Sequence, residues 1–94
     1  MDLLHFEIER GQLLEDEMQI KVLAFAQARL ALGFSERIVE SSQTETPLAI
    51  LNKIAPDYLP DRSTRVAVNQ IFSEWDAPVS VAFEMAIIPM VSGG

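Results

Sequence analysis

Residues 18–25, MQIKVLAF, constrain the fold more than any other stretch of the chain. Apolar and polar side chains alternate through the first five residues, with Gln19 and Lys21 on the polar parity. A two-residue period is that of a β-strand with one buried face. The polar parity then becomes apolar at Leu23 and Phe25. The stretch therefore predicts a strand whose outer face is itself partly apolar.

A second pattern of this kind lies near the end of the chain, in FEMAII, residues 83–88. Phe83 and every second residue after it are apolar, whereas Glu84 lies on the opposite parity. Since a carboxylate avoids an apolar core, Glu84 indicates which face is the outer one. Ile88 shares the parity of Glu84, so we expect Ile88 to point outward, as we expect of Phe25.

One long helical pattern separates these two strands. Thr46 and Pro47 have the residue types preferred at the N-cap and at the first helical position. Apolar residues then recur at three- and four-residue spacing, and Pro56 ends the helix within a predicted loop, residues 55–64. The predicted core face comprises Leu48, Leu51, Ile54 and Ala55, with Ile50 beside it.

Shorter elements complete the pattern. Residues 26–33 predict a short helical turn that ends in a left-handed Gly33, and residues 37–39 predict a brief strand. Residues 65–70, RVAVNQ, predict a further strand, and residues 71–78 predict a short strand and a turn. Strands grouped around one principal helix indicate a single small α+β domain.

Composition excludes several classes of function. The chain has no cysteine, which excludes disulfides, thiolate metal sites and a cysteine nucleophile, and its one histidine is His5. We therefore expect neither a metal site nor a catalytic triad. The net charge of −7 repels phosphate backbones, so nucleic acid is not the expected partner. Without a secretion signal or a run of roughly 18 apolar residues, we expect a cytoplasmic protein that does not enter a membrane.

Most of the negative charge lies in residues 1–17, which carry −5 of the total −7. This asymmetry, with a second methionine at Met18, divides the chain into an acidic N-terminal extension and a domain that comprises residues 18–94. We interpret the extension as a mobile or weakly ordered segment. Apolar residues alternate from Leu4 to Ile8, which leaves open a strand that adds to a sheet edge or pairs with a neighbouring chain.

Four segments carry a resemblance to a known family. They are IKVLAFAQAR (20–29), VAVNQ (66–70), the WDAPV turn (75–79) and AIIPMVSGG (86–94). In this order and spacing they resemble the small, sulfur-carrying subunit of molybdopterin synthase, a ubiquitin-like family of MoaD/ThiS-like sulfur carriers. The chain departs from the family pattern in three ways: it lacks the usual Gly-Asp-Glu turn before the last strand, has Met90 where a second proline is usual, and carries the extension.

The resemblance implies a β-grasp fold, with a mixed sheet of four to five strands packed on one principal helix. It also implies that sulfur is held as a thiocarboxylate on the last glycine, Gly94, with Gly93 in the same tail. An ATP-dependent adenylyltransferase would first adenylate the carboxyl group, and the sulfur would then pass to a pterin precursor in the large synthase subunit. The chain itself would be no enzyme and would bind no cofactor, since the activating enzyme uses the ATP.

The resemblance also implies where partners dock. The family's apolar contact positions fall on Phe25, Phe72 and Ile88, and strand parity independently places two of these on the outer face. Arg29 matches the arginine that follows the family's first strand, which implies contact with the activating enzyme. The alternatives are that the apolar residues cap the end of the core and that Arg29 is an ordinary surface charge.

The same tail serves two other functions. A ubiquitin-like modifier would be joined through Gly94 to lysines of target proteins. A carrier for another product would supply sulfur for thiamine or for a thiolated nucleoside. We predict the molybdopterin carrier and keep these two as alternatives.

Overall fold

Five strands and two helices make up residues 17–90, the part of the chain that the computed structural model describes. The strands are β1 (Glu17–Ala24), β2 (Glu36–Ser42), β3 (Thr64–Val68), β4 (Ile71–Ser73) and β5 (Glu84–Pro89), and the helices are α1 (Ala26–Leu32) and α2 (Pro47–Ile54). The predicted extension lies outside the described residues except for Glu17. The first strand begins at this residue, one position before Met18.

All five strands form one mixed sheet in the order β2-β1-β5-β3-β4. Strands β1 and β5 run parallel, and the other three neighbouring pairs are antiparallel. Parallel neighbours cannot be joined by a tight hairpin, so the chain passes through the remaining elements before β5 returns beside β1. The predicted α+β class and strand number are confirmed.

The core lies between α2 and the inner face of the sheet. Each large aliphatic side chain buried there contributes about 1.5–3 kcal/mol relative to exposure in water. The fully buried members are Ile20, Val22, Ile50, Leu51, Val66, Met85 and Ile87. Trp75 packs against this cluster and donates its indole N–H to the Thr64 carbonyl oxygen at 3.0 Å. Within residues 17–90, no helix is long and apolar enough to cross a membrane.

Helix α2 begins as predicted, but its buried face is different. The Thr46 hydroxyl caps the helix by accepting the Ala49 N–H at 3.1 Å. Ile50 and Leu51 are 0% exposed, whereas Leu48 is 37% exposed. The prediction that Leu48 faces the core is therefore wrong. The buried stripe instead starts at the proline, and its members are Pro47, Ile50, Leu51 and Ile54, the last of them partly buried.

The short elements are longer or shorter than their patterns indicate. Helix α1 ends at the predicted Gly33, which has φ 83° and donates its N–H to the Arg29 carbonyl oxygen. Strand β2 covers seven residues, whereas the sequence pattern predicted only three. Alternation detects the strand poorly because most of its side chains are polar and exposed at the edge of the sheet. Strand β5 begins at Glu84, so Phe83 lies outside it and is 72% exposed. The prediction that Phe83 shares the buried face is wrong.

Asn69 gives the physical reason for the late start of β5. Its Oδ1 accepts the N–H groups of Phe83 at 2.8 Å and Glu84 at 3.2 Å, and its Nδ2 donates to the Val81 carbonyl oxygen at 3.1 Å. One side chain therefore satisfies the backbone that precedes β5, and the ladder with β1 starts only at the Lys21 and Glu84 pair.

Candidate functional site

The chain leaves the sheet at the end of β5. Pro89 is the register partner of Thr64 on β3, and Met90 donates its backbone N–H to the Ser63 carbonyl oxygen at 2.8 Å. The predicted reactive residues, Gly93 and Gly94, lie outside the described residues. The sheet and the adjoining loop therefore position the chain as far as Met90, the root of the tail.

A side-chain cluster supports the residue that receives the Met90 N–H. Asp61 Oδ1 accepts the hydroxyl of Ser63 at 2.7 Å, the N–H of Ser63 at 2.9 Å and the hydroxyl of Thr64 at 3.0 Å. These hydrogen bonds lower the pKa of Asp61, and the one from the Ser63 hydroxyl has the largest effect. The sequence predicted only a loop for this region. The spacing Asp-x-Ser-Thr is typical of a side-chain-stabilised turn and would have indicated the cluster.

An apolar row crosses the outer face of the sheet. Leu23 is the register partner of Ala86, Ala86 of Ala67, and Ala67 of Phe72. Register partners share one face, and the intervening residues of these strands fill the core, so this row lies on the face opposite α2. The two alanines are buried under their neighbours, whereas Phe72 is 50% exposed.

Arg65 connects this row to the next one. It is the register partner of Ile88, which is partly buried, and its Cζ lies 4.3 Å from the centroid of the Phe72 ring. That distance is within the range of a cation–π contact. The structure thus places the predicted Phe72 and Ile88 on one face, on either side of Arg65. Arg65 was not among the residues predicted from the sequence, which indicated only that residues 65–70 form a strand.

Phe25 lies at the same end of the sheet as the root of the tail. Its backbone N–H donates to the Ile87 carbonyl oxygen at 3.1 Å, next to Ile88, and its side chain is 47% exposed. Arg29 lies one helical turn later, with its N–H directed to the Phe25 carbonyl oxygen at 3.3 Å. The Arg29 side chain is exposed and forms no salt bridge with another described residue.

We call Phe25, Arg65, Phe72 and Ile88 the outer patch. It combines exposed aromatic surface, an aliphatic side chain and one cation beside the root of the tail, which is the composition of a docking surface. Among residues 17–90, no group of three or more histidine, aspartate or glutamate side chains is placed to hold a metal ion.

The family model of the ThiS family matches residues 22–94. This range covers more than half of the chain, including the outer patch and the glycine tail. The chain belongs to the ThiS family. None of the curated protein sequences matches this ThiS-family chain at a significant level.

Solved structures similar to this ThiS-family protein share its fold. A putative molybdopterin converting factor, subunit 1, from Pyrococcus furiosus has a TM-score of 0.62 and 21% identity, and the match covers 79% of this chain and 99% of that one. The small archaeal modifier protein 1 from Methanosarcina acetivorans has a TM-score of 0.62 and 19% identity, with 83% and 98% covered. A ubiquitin from Caldiarchaeum subterraneum has a TM-score of 0.54 and 20% identity, with 83% and 99% covered.

These matches confirm the ubiquitin-like β-grasp fold. Identities near 20% carry no more than the fold, so the name of each relative describes that relative alone. The family match supplies the coarser statement of function: this chain is a small ubiquitin-fold protein of the ThiS family of sulfur carriers.

Proposed function

We propose that this chain is the sulfur carrier for molybdopterin synthesis, which donates sulfur from a thiocarboxylate at Gly94 to a pterin precursor in the large synthase subunit. The observation that carries the proposal is the position of the outer patch beside Met90, whose N–H is fixed to the Ser63 carbonyl oxygen at 2.8 Å. A carrier needs a surface that docks on its partner and a tail that leaves this surface in a defined direction. Because the proposed activating enzyme consumes ATP, we infer that the carrier acts in the cytoplasm.

The chemistry explains why the tail ends in glycine. A carboxylate is a poor electrophile, so the activating enzyme joins it to the AMP portion of ATP and releases pyrophosphate. A hydrosulfide ion then attacks the acyl carbon and AMP departs, which leaves, after loss of a proton, a thiocarboxylate that is itself nucleophilic at neutral pH. The terminus must enter two different active sites, and residues without Cβ, such as Gly93 and Gly94, permit close approach.

The length of the tail constrains how a partner binds. Four residues follow Met90, and four fully extended residues reach about 14 Å at most. The partner's reacting atoms must therefore lie within this distance of the end of β5, which requires docking close to that end. Phe25 and Ile88 lie at this end, and we assign them, with Phe72 and Arg29, to the binding of both the adenylyltransferase and the large synthase subunit.

A protein modifier is the second candidate, and a specific observation favours it. The fold matches the small archaeal modifier protein 1 from Methanosarcina acetivorans as well as it matches the putative molybdopterin converting factor subunit. Both functions need an activated Gly94 and a docking surface, so the outer patch supports both. A carrier that supplies sulfur for thiamine or for a thiolated nucleoside is the remaining alternative, and it differs only in the acceptor.

Intact mass spectrometry of the full chain tests the proposal. The chain is incubated with ATP, its activating enzyme and a sulfur donor, and we expect a mass gain equal to the exchange of one oxygen for sulfur, localised to Gly94. Addition of the large synthase subunit and its pterin precursor should reverse the gain. Deletion of Gly94 should abolish it without changing the circular dichroism spectrum, because the tail follows the last strand.

Deletion of Gly11, which lies outside the family match, is the matched control and should leave the mass gain intact. Sulfur transfer that survives deletion of Gly94 would contradict the proposal. An isopeptide bond between Gly94 and a lysine of another protein, without sulfur gain, would establish the modifier instead. Sulfur gain that only a thiamine precursor or a nucleoside acceptor discharges would establish the third alternative.

A further inference from the structure

Strand β2 is an edge strand, and its register determines which backbone groups face away from the sheet. The Ala24 N–H donates to the Ser35 carbonyl oxygen at 3.0 Å, which makes these two residues a hydrogen-bonded antiparallel pair. Such pairs alternate with non-hydrogen-bonded pairs along the ladder. The β2 residues that alternate from Glu36 to Ser42 therefore direct their N–H and C=O groups away from β1.

Along the half of this free edge that contains Glu40 and Ser42, which we call the lower half, other residues already occupy the outward backbone groups. Lys53 Nζ on α2 donates to the Glu40 carbonyl oxygen at 2.8 Å. Glu45 Oε1 accepts the Ser42 N–H at 3.1 Å, and the Glu45 N–H donates to the Ser42 carbonyl oxygen at 3.2 Å. Lys53 and Glu45 also contact each other at 3.1 Å. A strand cannot pair with this half unless these bonds break.

The upper half of the edge, which contains Glu36 and Ile38, has unpaired backbone groups within residues 17–90. Neither the backbone of Glu36 nor that of Ile38 has a partner there on the free side, and the Ile38 side chain is 54% exposed on the outer face. On the inner side, a groove of about 390 Å³ runs between β2 and α2, and Arg37 and Lys53 contribute to its walls. An unpaired edge with an exposed apolar side chain is a template for strand addition.

We propose that residues 4–8 of the same chain, LHFEI, add to this open edge as a sixth strand. The chain enters β1 at Glu17, whose register partner is Ser42 at the far end of β2. The added strand would lie two strand spacings, or about 10 Å, from β1 on the far side of β2. Along the strand direction, Ile38 lies four residues, or about 13 Å, from the level of Glu17 and Ser42. Residues 9–16 connect the two and span up to about 27 Å. The added strand runs parallel to β2.

Charge determines which face each side chain of the added strand occupies. With Leu4, Phe6 and Ile8 on the outer face, they cover Ile38, and the alternate residues His5 and Glu7 lie on the side of Arg37 and Lys53. The opposite arrangement would place Glu7 on the outer face beside the carboxylates of Glu36 and Glu40. Like charges side by side on a sheet are destabilising, so the first arrangement is favoured.

This inference is independent of the proposed function, because residues 1–16 lie outside the family match, which begins at Val22. The added strand would turn an acidic extension into a cover for the β2 edge. It would also leave the outer patch, at the end of β5, accessible to a partner.

Amide hydrogen exchange of the purified full chain, followed by NMR, tests the inference. We expect the Ile38 amide to exchange at least about tenfold more slowly in the wild type than in Glu7→Pro. In a parallel pair, Ile38 bonds to the residues that flank its register partner, so the N–H groups of His5 and Glu7 are the ones that point toward β2, and proline at position 7 removes one of these donors. Gln12→Pro, the same substitution in the connection, should keep the protection. The Val39 amide points toward β1 and should stay protected in every variant, which reports that the domain is folded.

Three results would overturn the inference. An Ile38 amide that exchanges at the rate of an unpaired amide in the wild type would show that the edge is open. Protection that persists in Glu7→Pro would show that residues 4–8 do not provide it. Protection that increases with protein concentration would show that a second copy of the chain pairs with the edge.

Discussion

At the scale of single residues, a half-exposed aromatic side chain in a small domain either caps the core or binds a partner. Phe25 allows a direct test because it is 47% exposed and directly follows β1, in which Ile20 and Val22 are fully buried. A carboxylate at position 25 would reach water, whereas a carboxylate at the fully buried position 22 would not.

We expect Phe25→Asp to weaken binding to the activating enzyme by about tenfold or more, as removal of an interface anchor does. The free energy of unfolding should change by less than about 1 kcal/mol, which is usual for a surface position. Calorimetric titration and urea unfolding measure the two quantities. Val22→Asp, at a 0% exposed site on β1, is the control that should unfold the domain. Severe unfolding of Phe25→Asp would show instead that Phe25 belongs to the core.

Glu45 gives a prediction of pH dependence. Burial raises the pKa of Glu45, but hydrogen bonds from the Ser42 N–H and from Lys53 together outweigh it, so the pKa lies below its ordinary value of 4.5. A pKa lower in the folded than in the unfolded state stabilises the fold above pH 4.5 and loses this effect as the pH falls through the folded value. We expect Glu45→Gln to be less stable than the wild type at pH 7, and the difference to shrink as the pH falls below 4.5.

Urea unfolding at a series of pH values measures this difference. Glu40→Gln is the matched control, because the contact of Lys53 is with the backbone carbonyl of Glu40 and not with its carboxylate. A stability difference for Glu45→Gln that is the same at every pH would mean that the amide replaces the carboxylate by shape alone.

At the scale of elements, α2 packs on the sheet through the face that carries Pro47, Ile50 and Leu51. Ile50 is 0% exposed and Leu48 is 37% exposed, although both are large aliphatic residues of one short helix. We expect Ile50→Ala to cost about 2–5 kcal/mol, the range for truncation of a fully buried aliphatic side chain. Leu48→Ala should cost well under half as much. Chemical denaturation of the two variants measures both, and equal losses would return Leu48 to the core face.

At the scale of the whole molecule, the sequence predicted the parts of the fold that depend on local pattern. The parity of residues 18–25 and 83–88 correctly placed the inner residues of β1 and β5, and Thr46 and Pro47 correctly placed the start of α2. The resemblance added what local pattern cannot supply, a β-grasp fold with a mixed sheet packed on one principal helix, since strand neighbours distant in sequence leave no periodic signal.

The remainder depended on tertiary contacts. Leu48 follows the helical period as well as Ile50 does, and only the orientation of α2 on the sheet distinguishes them. Phe83 continues the strand parity, but the Asn69 side chain binds the backbone at this point and the ladder starts after it. In the candidate site, Arg65 was missed because its contact with Phe72 joins two strands, and a single-strand pattern cannot show such a contact.

The parallel pairing of β1 with β5 has a mechanical consequence. The chain enters β1 at one end of the sheet and leaves β5 at the other, and the two strands are neighbours through the pairs from Lys21 and Glu84 to Ala24 and Ile87. A force applied between Glu17 and the tail would therefore load these hydrogen bonds in shear, so that they bear the tension together and do not open one after another. An unfolding enzyme that pulls on the tail would therefore meet its greatest mechanical resistance at the hydrogen bonds between β1 and β5.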